Sequence, residues 1–110
     1  MSAYAIAHLW DVKWGAEIKA YLERIDDTLA PFEGKYIVHG GERTVVEGQW
    51  TGDLIVIAFP DLVRAREWYS SAAYQSILAL RRDNSAGDVI LIDGVPPGHK
   101  ATDILGGPHA

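Results

Sequence analysis

The chain has no cysteine, which excludes disulfides, thiolate metal sites and a thiol nucleophile. It also has no excess of positive charge. Lys and Arg number 10 against 15 Asp and Glu, giving a formal net charge of -5, so the broad basic footprint of a nucleic-acid binder is missing. No window approaches the roughly 20 apolar residues of a membrane-spanning helix. The first residues reach His8 and Asp11 before an apolar stretch of signal-peptide length develops. A soluble, cytoplasmic protein with neither nucleic acid nor membrane as partner is expected. No internal repeat stands out, and no low-complexity tract precedes the C-terminal tail.

What is present suits one domain. The 110 residues are 48% hydrophobic and 23% charged, too apolar for a disordered chain and too short for two ordinary domains. A domain of this size buries roughly two thirds of its unfolded surface. That suffices for one core but leaves a large sheet face needing cover, so self-association is expected.

Tyr4 to Val12 reads as a central strand, with Tyr4, Ile6, His8 and Trp10 on one face and Ala5, Ala7, Leu9 and Asp11 on the other. Ile18, Tyr21, Leu22, Ile25 and Leu29 recur every three or four residues, predicting an amphipathic helix closed by Pro31 and Gly34. Within it, Lys19 and Glu23 can pair across one turn. Lys35 to His39 and Glu42 to Gly48 read as strand, either one long bent strand or two short ones, broken at Gly40-Gly41. Leu54 to Phe59 is a continuous apolar run ended by Pro60, predicting a second central strand. Asp61 is placed to cap the next helix, which Ser70-Ser71 kinks or restarts before Tyr74, Ile77 and Leu78. A last strand, Asp88 to Asp93, follows a turn at residues 84–87. The order β-α-β-β-α-β matches the split βαβ, ferredoxin-like arrangement of the α+β class. It makes residues 1–95 one domain and 96–110 an irregular Gly/Pro-rich tail.

The segments "HGGERTVVEGQW", "VIAFPDLVRAREWYSSAAYQSILALR" and "DVILIDG", in this order, resemble the bacterial domain-of-unknown-function family numbered thirteen-thirty. Phe59-Pro60, Trp68-Tyr69-Ser70 and Tyr74 carry the likeness, which spans about residues 3–95. The resemblance implies a dimeric α+β barrel, in which two ferredoxin-like subunits pack their open sheet faces together. It leaves mechanism unassigned. Relatives usually carry Arg where His39 stands and Glu where Ala58 stands, so a cation and a carboxylate are absent together.

His8 sits mid-strand among apolar neighbours, where an imidazole can act as base, acid or ligand, or can be a hydrogen-bonded core residue. His39 invites the same two readings. A two-histidine metal site lacks a carboxylate at ligand spacing beside either residue, so no metal is expected. Tyr21, Trp68, Tyr69 and Tyr74 are helical aromatics that either line a small-molecule pocket or simply fill the core. Trp68 is placed somewhat like the Trp of cofactor-independent monooxygenases and heme-degrading enzymes of the dimeric barrel. Ile77 and Leu78 occupy the place of a following His, so heme is not expected. Arg64, Arg66, Arg81 and Arg82 read as a solvated helix face. Gly40-Gly41 makes no phosphate loop, and no Ser stands in a nucleophile elbow.

Two functions remain. One is a homodimeric, cofactor-independent enzyme of isomerase, cyclase or monooxygenase type. It would hold a compact apolar or aromatic molecule between sheet and helices, with His39, Trp68, Tyr69 and Tyr74 binding it. His8, helped by Tyr21 or Tyr74, would transfer a proton. The other is a dimer with the same pocket and no turnover.

Overall fold

The computed structural model describes residues 1–106. Its elements are β1 (Ala3–Trp10), α1 (Ala16–Leu29), β2 (Lys35–His39), β3 (Asp53–Phe59), α2 (Leu62–Ser70), α3 (Ala72–Gln75), α4 (Leu78–Arg82) and β4 (Ala86–Asp93). Short 3-10 turns occupy Ala30–Phe32 and Ala101–Gly106. The four strands form one antiparallel sheet in the order β2-β3-β1-β4. This is the ferredoxin-like arrangement that the element order predicts, and β1 and β3 are its central strands.

The helices cover one face. On α1 the buried residues are Ile18, Tyr21, Ile25, Thr28 and Leu29, whereas Leu22 lies at the edge of the stripe and is exposed. The helix runs into the turn at Ala30–Phe32, and Glu33 adopts a left-handed conformation with φ 58. Gly34 follows because a Cβ there would stand 2.7 Å from Leu29 Cδ2 and 2.8 Å from Phe59 Cε1, inside the core. The Lys19–Glu23 pair forms at 3.9 Å with side chains 77% and 63% exposed, too solvated to stabilise the helix appreciably.

Asp61 caps α2 as predicted, accepting from Arg64 N–H at 2.8 Å. Ser71 restarts the helix. It is extended, with φ -64 and ψ 146, and its hydroxyl accepts from Tyr74 N–H at 3.2 Å. Around this break Phe59, Trp68 and Tyr74, each 2% exposed, form the aromatic centre of the core. Their rings stand 5.5 Å (Phe59–Trp68) and 4.2 Å (Trp68–Tyr74) apart.

Two features depart from expectation. Residues 42–48 form no strand. Gly40 and Gly41 have φ of 70 and 88, which turns the chain out of the ladder. β2 is the sheet edge, and its outer side stays unpaired. The irregularity in β2 lies earlier, between Tyr36 and Val38. In the tail, expected to be irregular over 96–110, residues 101–106 take a 3-10 turn, with Lys100 N–H donating to Asp103 Oδ2 at 3.0 Å, and residues 107–110 lie outside the described residues. Among the described residues no helix is long and apolar enough to cross a membrane.

Among the described residues no helix covers the other face of the sheet. Tyr4, Ile6, His8 and Trp10 project there from β1, beside Leu54, Val56 and Ala58 of β3 and Ile90 and Ile92 of β4. Ile90 is 52% and Ile92 45% exposed. The 41–52 loop adds the exposed apolar side chains of Val45, Val46 and Trp50.

Candidate functional site

Small residues on the covered face of β1 leave room beneath the helices. Ala5 and Ala7 fill little of the space between sheet and α1, and a cavity of about 230 Å³ results. Its walls are mostly apolar, from Leu9, Ile18, Ile25, Ile55, Ile57 and Trp68. Its outer rim carries Val12, Trp14, Gly40 and Ser85, at the end of the sheet where β1 and β2 finish and β3 and β4 begin.

Few polar groups reach this space. Tyr21 from α1 and Tyr74 from α3 join their hydroxyls at 2.8 Å. Burial pushes the Tyr21 phenol far above the ordinary tyrosine range, and the adjoining Tyr74 oxygen reinforces the shift. Tyr36 from β2 is raised in the same direction by burial, with the charge of Asp26 adding to it. Arg81 from α4 is 8% exposed, with its guanidinium carbon 5.9 Å from the centre of the Tyr21 ring. Burial alone would lower its pKa, but Tyr74 and Tyr21 outweigh this and hold it above the ordinary value. His39 also lines the cavity, as does Asp53 at its outer end; the His39 ring is stacked on Tyr36 with ring centres 4.5 Å apart. The bulge makes this possible. Tyr36 pairs with Ile57 and His39 with Ile55, so residues three apart in sequence share the covered face.

Of the residues singled out in the sequence, Tyr21, His39, Trp68 and Tyr74 therefore meet at one cavity. Tyr69 packs behind them, its ring 6.1 Å from Trp68 and 5.5 Å from Tyr74, and is not part of the lining. Trp68 is fixed from the far side, where its indole N–H donates to Thr28 Oγ1 at 3.0 Å.

His8 is elsewhere. It alternates with Ala7 and Leu9 and so faces away from the helices. There Nε2 lies 2.6 Å from the Thr51 carbonyl oxygen, and the ring stacks on Trp50 at 4.4 Å and meets Trp10 edge-on at 5.0 Å. The sheet itself separates His8 from Tyr21, so the expected couple between them is not assembled. Nor do His39 and Ala58 adjoin: Ala58 pairs with Lys35 at the other end of β2 and faces the open side. Among the described residues no three His, Asp or Glu side chains gather closely enough to hold a metal ion.

Arg81 is the residue that sequence reasoning missed. Read as solvated, it is instead buried. The signal was available, because Tyr74, Ile77, Leu78 and Arg81 stand at i, i+3, i+4 and i+7 and so continue the buried stripe.

A family model described as a domain of unknown function, DUF1330, matches residues 2–95. The chain belongs to this family, as the sequence resemblance implied. No curated protein matches the chain. Solved structures share its fold at low identity. A protein of unknown function from Rhodopseudomonas palustris is 12% identical, with 87% of this chain and 84% of that one covered and a TM-score of 0.63. The cofactor-independent oxygenase SnoaB from Streptomyces nogalater is 13% identical, with 90% and 96% covered and a TM-score of 0.56. A dimeric ferredoxin-like protein of unknown function from Jannaschia sp. is 13% identical, with 82% and 98% covered and a TM-score of 0.54.

Proposed function

We propose that this member of the family is a homodimer that holds a compact apolar or aromatic molecule in the cavity between sheet and helices. The carrying observation is the cavity itself, about 230 Å³ with an apolar wall and a few convergent polar side chains, the usual make-up of a small-molecule site. The second copy covers the open sheet face, and the dimeric ferredoxin-like neighbour of the same fold supports this. His8, clasped by Trp50 and the Thr51 carbonyl on that face, belongs in this reading to the subunit contact.

A catalytic form of the proposal draws on His39, whose imidazole can pass a proton in either direction and which stands on the cavity wall. That a cofactor-independent oxygenase has the same fold supports it by analogy alone. His39→Asn should then leave binding intact and abolish turnover of the native molecule, once mass spectrometry has identified what co-purifies.

Binding is tested with 2-naphthol as a neutral bicyclic probe. Calorimetric titration should show one site per chain in the native protein and none in Ala7→Phe, whose added ring fills the cavity. Equal binding by the two proteins, both folded by circular dichroism, would place the probe outside the cavity and refute the proposal.

A further inference from the structure

The polar corner of the cavity is rich in donors and poor in acceptors. Arg81 is buried to 8% exposure, yet among the described residues no carboxylate lies within ion-pair distance of it. A buried charge is ordinarily paired. The neighbouring tyrosines add to the imbalance. In a hydroxyl–hydroxyl hydrogen bond one proton is shared and the other remains to be donated, and the Arg81 guanidinium lies within hydrogen-bonding reach of the same two phenol oxygens without satisfying that proton. One O–H is left over beside a guanidinium, both at the wall of the same cavity. The acid in the cavity lining, Asp53, is engaged by Arg43 at 3.5 Å. The chain as a whole is acidic, at -5, so an unpaired inward cation is not a by-product of a basic surface.

We propose that Arg81, with the Tyr21–Tyr74 hydroxyl pair, forms an anion subsite, and that the molecule held in the cavity is a compact aromatic carboxylate. The planar guanidinium fork matches a carboxylate with two parallel N–H donors. The spare phenol O–H supplies a third donor, and the apolar walls take the ring. Tyr21 keeps its proton throughout the physiological range because burial raises its pKa, so it remains a donor. This inference rests on the cavity reading above and gives it a substrate class.

Its test compares 2-naphthoate with 2-naphthol, equal in ring system and different in charge. The native protein should bind 2-naphthoate at least about 10-fold more tightly, as charge-assisted hydrogen bonds of about 1.5–3 kcal/mol require. Arg81→Met, which keeps the apolar bulk, should lose that preference and leave 2-naphthol affinity within about 3-fold of native. Arg81→Lys keeps the charge without the fork and should fall between them. Equal affinity of the native protein for the two probes overturns the anion subsite and leaves the cavity reading standing. Binding of neither probe takes down both. Should Arg81→Met fail to fold, the native preference and its reduction in Arg81→Lys decide the matter.

Discussion

A phenol sealed from water keeps its proton where an exposed one gives it up, and Tyr21 carries that difference into stability. In the unfolded chain it ionises near pH 10; in the folded protein burial and the Tyr74 oxygen hold its pKa far higher. Below pH 10 both states retain the proton and the group contributes no pH dependence. Above it the unfolded state releases the proton while the folded state does not, so stability falls as pH rises. Tyr36 acts with the same sign. Denaturant midpoints measured from pH 8 to 11 should therefore be level at first and then decline beyond about pH 10. In Tyr21→Phe the decline should be shallower, even though the variant starts less stable for want of the hydroxyl contact at 2.8 Å. A decline of unchanged steepness would mean that the Tyr21 phenol is not protected in the folded state.

At the scale of elements, the second helical segment shows how local chemistry sets a boundary that periodicity alone leaves open. Asp61 accepts from Arg64 N–H at 2.8 Å and receives Arg64 Nη1 at 2.8 Å, satisfying one of the orphan donors of the first turn. Asp61→Ala should cost about 1 kcal/mol, read as a lower midpoint in chemical denaturation; no change would mean that water replaces the cap fully. The cap, α1, both central strands and the restart at Ser71 were legible because each depends on residues within a turn or two along the chain. The parts that were not legible depend on partners distant in sequence. Residues 42–48 have strand composition, but the two left-handed glycines before them turn the chain out of the ladder. Alternation along β1 separates His8 from Ala5 and Ala7, and that much could be read. What could not be read was which face the helices would cover, and hence that the cavity would take Tyr21 and leave His8 outside. The bulge between Tyr36 and Val38 brings His39 to the cavity, and no residue type in Lys35–His39 announces it.

For the whole molecule the decisive quantity is the uncovered apolar face. Ile6, Val56, Ile90 and Ile92 stand together across three adjacent strands, and a contiguous apolar patch of this kind on an isolated subunit marks an interaction surface. The 41–52 loop extends it, because the His8–Trp50 stack at 4.4 Å ties the loop to the same side of the sheet. Apolar burial of this type stabilises by roughly 25 cal/mol per Å². A charge placed at its centre in the proposed dimer would be desolvated without a partner, at a cost of several kcal/mol. Light scattering at micromolar concentration should report about twice the 12.1 kDa of one chain. Ile90→Glu should yield a monomer with native circular dichroism, since Ile90 is 52% exposed in the subunit and its replacement disturbs no core contact. His8→Asn should weaken the dimer by removing the ring that stacks on Trp50, while leaving 2-naphthol affinity unchanged because the sheet lies between it and the cavity. A native protein that stays monomeric would refute the paired arrangement. A His8→Asn dimer of full strength with impaired binding would return His8 to the ligand site and require the cavity to communicate through the sheet.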